Sequence, residues 1–180
     1  YDTDHLNFGN RLLVHFTGIF CRHVPLTATS ILDAGAGTGR LAETLSVQGY
    51  SGFTGIDLST NMLAVANAKG VYDALLRMRL GDRLDFEDNR FAVVASLAAM
   101  SPGHAGADAF EELIRVTRPG GLLVLSLRAG CESVTGFNRR RKSLEVAGQW
   151  QLVDEITDVV SHPEYEPPLR YGVHVYRKPG

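Results

Sequence analysis

Short apolar runs that are continuous rather than alternating, each followed by a helix-length amphipathic stretch, constrain this chain more than any other feature. "SILDAG" (30–35), "GFTGIDLS" (52–59), "ALLRMRLGD" (74–82), "RFAVVASLAAM" (90–100) and "LLVLSLR" (122–128) read as strands. Helical segments fall between them: 39–49 closed by Gly49, 60–70 capped by Ser59 and ended by Lys69 and Gly70, and 107–117. A strand that is apolar on both faces must be covered on both. Alternation of strand with helix does this by laying parallel strands side by side with crossover helices over either face. Upstream, residues 10–24 carry Leu13, Phe16, Ile19, Phe20 and Val24 at spacings of three and four, an amphipathic helix interrupted by Pro25. "RPGG" (118–121) is expected to turn into the fifth strand, and a further helix to follow at 137–147. The runs 150–160 and 170–178 are expected to form an antiparallel pair, because the nine residues of "SHPEYEPPL" are too few for a crossover. The expected fold is α/β: a doubly wound, seven-stranded, mostly parallel sheet with an antiparallel last strand and helices on both faces.

Composition narrows the function classes. With 180 residues, 44% hydrophobic and 21% charged, the chain suits one domain with a real core. A formal net charge of −2 lacks the basic excess of a protein that grips phosphate backbone, so no nucleic acid is expected. No apolar run approaches a spanning helix, and "GGLLVLSL" (120–127) is strand-sized, so no membrane is expected either. The two cysteines, Cys21 and Cys131, make no C-x-x-C pattern. That leaves no disulfide framework and no metal cluster to expect, and points to a reducing, cytoplasmic compartment. The chain starts at Tyr1 rather than at methionine, which leaves room for an upstream segment.

The chemistry is concentrated in "ILDAGAGTGR" (31–40), an apolar strand end running into Gly35, Gly37 and Gly39. In a parallel sheet such a loop lies at the carboxyl edge, where ligands bind. A dinucleotide fingerprint, G-x-G-x-x-G, would need a third glycine where Arg40 stands. Asp33, two residues before the first glycine, adds negative charge unsuited to a pyrophosphate and suited to a cationic ligand. S-adenosylmethionine carries a sulfonium and an ammonium and no phosphate, and its carboxylate can face the amides at the helix start. Asp57, 22 residues beyond Gly35 at the end of the second strand, can accept both ribose hydroxyls, which supports an adenosine ligand without deciding which. Asp82 ends the third strand and can accept an adenine amino group while the Arg83 amide contacts the ring.

In order and spacing, "ILDAGAGTG", "GIDLSTNMLAVANAKG", "LGDRLDFEDNRFAVVAS" and "LIRVTRPGGLLVLSLR" resemble the motifs of the S-adenosylmethionine-dependent methyltransferases with a Rossmann-like sheet, over residues 30–128. Tyr1 and Asp2, "KGVYDAL" and the ending "VHVYRK" look like the Williams-Beuren-region methyltransferase-like group within that superfamily. The resemblance implies that Asp33, Gly35, Ala36 and Gly37 surround the methionine portion and that Asp57 holds the ribose. It implies that Leu58 and Met62 pack on ribose and adenine, that Gly81, Asp82 and Arg83 bracket the adenine, and that backbone near Ser96 faces the methionine end. Tyr1 would belong to a lid. One departure stands out: the family usually has an acid after the phenylalanine that opens strand four, whereas Ala92 follows Phe91. The 180 residues are thus expected to be a single methyltransferase domain, with 1–29 an N-terminal lid helix region, 30–128 the cofactor-binding core, and 129–180 a C-terminal helix and strand pair forming the substrate rim.

The expected activity is S-adenosylmethionine-dependent methyl transfer to an unidentified small-molecule acceptor, with a protein substrate as the other open case. A non-catalytic S-adenosylmethionine-binding module and a nicotinamide-dependent oxidoreductase are the alternatives. Neither N-P-P-[FY] nor Pro-Cys follows strand four, which argues against exocyclic adenine and pyrimidine-ring methylation. If the acceptor must lose a proton, His104 in "MSPGHAG" is the first candidate base, with His162 and Tyr165 as rim candidates. The run "RRRK" (139–142) reads as a solvated helix face, or otherwise as a contact for an acidic substrate; Cys131 has no activating neighbour in sequence.

Overall fold

A computed structural model describes residues 10–130, 136–162 and 166–180, with His162 as backbone only. In chain order the elements are α1 (Asn10–His23), β1 (Ile31–Ala34), α2 (Arg40–Val47), β2 (Phe53–Asp57), α3 (Thr60–Asn67), β3 (Tyr72–Arg77), β4 (Phe91–Met100), α4 (Ala109–Val116), β5 (Thr117–Arg128), α5 (Phe137–Val146), β6 (Gln151–His162) and β7 (Leu169–Arg177). Seven strands form one sheet in the order β3-β2-β1-β4-β5-β7-β6. The first five in that order run parallel, and β7 lies antiparallel between β5 and β6. This is the expected doubly wound sheet with an antiparallel last strand.

The central apolar runs are buried as such, whereas the edge strand β3 is only partly covered. All four residues of β1 are buried, as are Phe91–Ser96 of β4 and Tyr171–Tyr176 of β7, because helices cover both faces. One face packs α1 and α2 through Phe16, Phe20 and Leu45. The other packs α4 and α5 through Phe110 and Phe137, joined by Trp150. The edge strand β6 is largely exposed and carries Asp154, Glu155 and Asp158, charges that discourage further strand pairing. Asp154 accepts hydrogen bonds from the end of α1, from Arg22 at 3.1 Å and His23 at 2.7 Å.

Local signals explain the boundaries. Ser59 Oγ accepts from the Met62 amide at 3.3 Å and caps α3, while Gly49, at φ 97°, follows the end of α2 as a C-terminal glycine should. Two expectations need correction. "RPGG" does not turn before a strand that starts at 122. The strand already runs from Thr117, and these residues form a bulge between the Phe91–Thr117 and Val93–Leu122 pairings, tied down by the Gly120 amide to the Lys178 carbonyl. The third strand ends at Arg77 rather than at residue 82, so Asp82 lies in the loop beyond it.

The switch point falls between β1 and β4, where the chain, having laid β2 and β3 on one side of β1, crosses to the other. Phe110 anchors α4 behind this point, with ring centroids 5.8 Å from Phe137 and 5.2 Å from Trp150. Phe110→Ala should destabilise the chain by about 3–5 kcal/mol in urea denaturation. A loss under about 1 kcal/mol would mean that the cluster does not hold α4 in place.

Candidate functional site

The loop after β1 is held by three amide hydrogen bonds to the end of β2. The amides of Gly35 and Ala36 both donate to the Ile56 carbonyl at 2.9 Å, and the Gly37 amide donates to Asp57 Oδ2 at 2.9 Å. The other oxygen of Asp57 accepts from the Ser59 amide at 2.8 Å. One carboxylate at the end of β2 therefore fixes both the glycine loop and the start of α3, and its remaining lone pairs are pre-oriented for further donors.

The three glycines divide the work. All have positive φ: 87° at Gly35, 54° at Gly37 and 81° at Gly39. A Cβ at Gly35 would overlap the Cβ of Ala99 on β4. One at Gly39 would crowd Tyr72 at 3.0 Å and Ala66 at 3.1 Å. The close helix-to-strand packing that a dinucleotide fold assigns to its third glycine is thus carried here by Gly39, directly before Arg40. Only Gly37 would meet nothing within 4 Å. Of the three, it is the one that presents bare backbone to open space.

Beneath the loop lies Asp33, 2% exposed, with Tyr72 donating its hydroxyl at 2.7 Å. Burial raises the Asp33 carboxyl to about 7, opposed by the Tyr72 hydrogen bond and reinforced by the nearby Asp57 charge. Burial also pushes the Tyr72 phenol up. Asp33 supports the loop from below and does not line the cavity above it.

That cavity, of about 220 Å³, opens at the carboxyl edge and is lined by Gly35, Asp57, Leu58, Leu80 and His104, among others. Its walls also include Ile56, Met78, Arg79, Ala99, Gly103 and Ala105. Of the residues singled out from sequence, Gly35, Asp57, Leu58 and His104 converge on this space, and Ala36 and Gly37 form the loop beside it. Ser96 is buried and spends its hydroxyl on the Ala34 carbonyl at 2.8 Å, so it clamps β4 to β1 while Ala99, three residues on, forms the wall. Met62 is half-buried on α3 and outside the lining. Gly81 stands at φ 100° against Asp108; Asp82 and Arg83 are exposed and outside the lining, Asp82 pairing with Arg79 at 3.8 Å. Tyr1, Cys131, Tyr165 and the side chain of His162 lie outside the described residues. Within the basic run, Arg140 pairs with Glu111, and Arg141 donates to Tyr176 at 3.3 Å and contacts His174 Nδ1 at 3.1 Å, while Arg139 and Lys142 are exposed.

Sequence reasoning missed Ala99 and the wall Met78–Leu80. The backbone explains both. Between the Ser96–Leu125 and Met100–Leu127 pairings β4 holds two more residues than β5, and Ala98 adopts φ 60°, its amide donating to Ser126 Oγ at 2.7 Å. This bulge pushes Ala99 against Gly35. A strained non-glycine residue at a cavity is a feature of binding sites. The run of alanines in "SLAAM" was the only sequence signal.

Residues 32–125 match the family described as "Methyltransferase domain". The human methyltransferase-like protein 27 is 34% identical over 71% of this chain and 53% of its own length. A malonyl-[acyl-carrier protein] O-methyltransferase from Buchnera aphidicola is 32% identical over 72% of this chain and 51% of its own. The chain thus spans about half the length of these curated relatives. Among solved structures, the [4+2]-cyclase SpnF superposes with a TM-score of 0.72 at 21% identity, covering 93% of this chain and 81% of that one, a likeness of fold.

The ionisation of Asp33 has a signed consequence. Its folded-state value lies above the ordinary carboxyl value of 3.8, so between about 4 and about 7 the folded chain keeps a proton that the unfolded chain has released, and stability falls as pH rises through that window. Asp33→Asn keeps an acceptor for Tyr72 and cannot ionise. It should equal the parent near pH 4 and exceed it by a few kcal/mol above about pH 7 in denaturant titrations; a difference independent of pH would contradict the assignment.

Proposed function

We propose, from the premise that this chain belongs to the S-adenosylmethionine-dependent methyltransferases with a Rossmann-like sheet, that its carboxyl-edge cavity binds that cofactor and that the chain methylates a small-molecule acceptor. The observation that carries this is the pairing of Gly37, whose missing Cβ leaves open space, with Asp57, whose carboxylate is held by two amides and faces the same loop. The donor set suits the group. Asp57 accepts the two ribose hydroxyls; Leu58, 54% exposed at the rim, lies with Met78 and Leu80 against the adenine; and the backbone at Gly37 receives the methionine portion. Asp82 and Arg83 stay on the rim, and Asp33 acts from beneath the loop.

When bound, the cofactor supplies an electrophilic methyl group on a sulfonium. The chain's part is alignment and exclusion of water, and orientation of this kind can lower a barrier by about 7–11 kcal/mol. The apolar walls Ile56, Leu80, Ala99 and Ala105 provide a dry approach. We read the 180 residues as one such domain, with 30–128 as its cofactor-binding core.

Calorimetry tests the cofactor directly. S-adenosylmethionine and its demethylated product should bind in the micromolar range, and Asp57→Ala should weaken both at least about a hundredfold through the loss of charge-assisted hydrogen bonds. Tight binding of NADH without either would overturn the proposal in favour of a nicotinamide enzyme.

A further inference from the structure

Beyond the end of β4 the chain folds back in a compact turn that closes on itself. The Ser101 and Ala105 amides donate to the Ala99 carbonyl at 3.1 and 3.2 Å, and the His104 amide donates to the Ser101 carbonyl at 3.1 Å. Inside this turn the Ser101 hydroxyl, buried, lies 3.1 Å from His104 Nδ1. The ring is thereby held from its Nδ1 side while the residue lines the same cavity as Gly35, Asp57 and Leu58. Nε2 has no partner among the described residues.

Resting on the cofactor reading above, we propose that His104, oriented by Ser101, is the general base of this site, and that the acceptor is a neutral hydroxyl, phenolic or enolic, on an apolar body. The surroundings select that class. Leu80, Met78, Ala99 and Ala105 offer no group to neutralise a carboxylate acceptor, and a carboxylate needs no base. An ammonium acceptor would need a free carboxylate beside the ring, but the one carboxylate among the lining residues, Asp57, is assigned to the ribose. The remaining charge on the walls is Arg79, paired with Asp82 at the mouth. Asp108 lies behind, against Gly81 and Gly106.

The step balances as follows. The acceptor oxygen forms a bond to the methyl carbon as the carbon–sulfur bond breaks, and that bond's electron pair stays on sulfur. The hydroxyl proton passes to His104 Nε2, so the positive charge lost from the sulfonium reappears on the imidazolium. This requires the neutral tautomer with hydrogen on Nδ1, donated to Ser101 Oγ.

Two measurements on the full chain saturated with S-adenosylhomocysteine and S-adenosylmethionine, respectively, decide the matter. Ring-nitrogen NMR of the first complex should show His104 with Nδ1 protonated and Nε2 bare, and Ser101→Ala should shift the population toward Nε2–H. Nε2–H in the parent protein would overturn the proposal. With S-adenosylmethionine, a panel of phenol, 4-nitrophenol, aniline and benzoate should yield methylated phenols only. In a mildly alkaline assay, where 4-nitrophenol is ionised and phenol is not, His104→Gln should slow phenol by about 10²–10⁴-fold and slow 4-nitrophenol much less. No methylated phenol, methylation of benzoate or aniline alone, or an equal loss on both phenols would each overturn it. Calorimetric binding of S-adenosylhomocysteine separates the two levels. If the parent binds it and these outcomes fail, the base assignment alone falls; if the parent does not bind it, the cofactor reading falls as well.

Discussion

The carboxylate of Asp57 is the junction on which the ligand edge is built. Its two oxygens hold the amides of Gly37 and Ser59, joining the β1 loop to the start of α3. Because these bonds are charge-assisted and partly buried, they fix the loop before any ligand arrives. The order of events is therefore one of preorganisation: positive φ at Gly35, Gly37 and Gly39 lets the chain follow this path, and Asp57 holds it there.

Around that junction each neighbouring group has a distinct burden. Asp33 sits in the low-dielectric layer beneath the loop, where its charge is costly and Tyr72 offsets only part of the penalty. The opposite half of the sheet shows the same physics with a different outcome. His174 on β7 is buried beside Arg141 and Glu155, and burial, helped by the Arg141 charge, pushes its imidazole down to about 4. It is neutral under ordinary conditions and ties α5 to the sheet through Arg141.

Much of this was legible in the residues. Continuous apolar strands alternating with helices point to a parallel sheet covered on both faces. Asp57 and its glycine loop were visible because both belong to one strand–helix–strand unit, β1–α2–β2. Other features depend on approaches between segments remote in the chain. Tyr72 reaching Asp33, Ala99 pressing on Gly35 and Lys178 receiving the Gly120 amide are set by strand order and register, which local patterning does not encode. The third strand was read too long because "RMRLGD" keeps an apolar alternation after its pairing has ended. The chain there leaves the sheet so that Met78 and Leu80 can form a wall.

The bulge in β4 carries a wider consequence. Ala98 is kept at φ 60° by a hydroxyl on the neighbouring strand, so the position of Ala99 against the glycine loop is set from β5 rather than from β4 itself. The cavity wall is in effect adjusted by remote control: Ser126, buried in the sheet and outside the lining, governs how far that wall leans inward. Variation along β5 can therefore reshape what the cavity admits while every residue that faces the ligand stays the same.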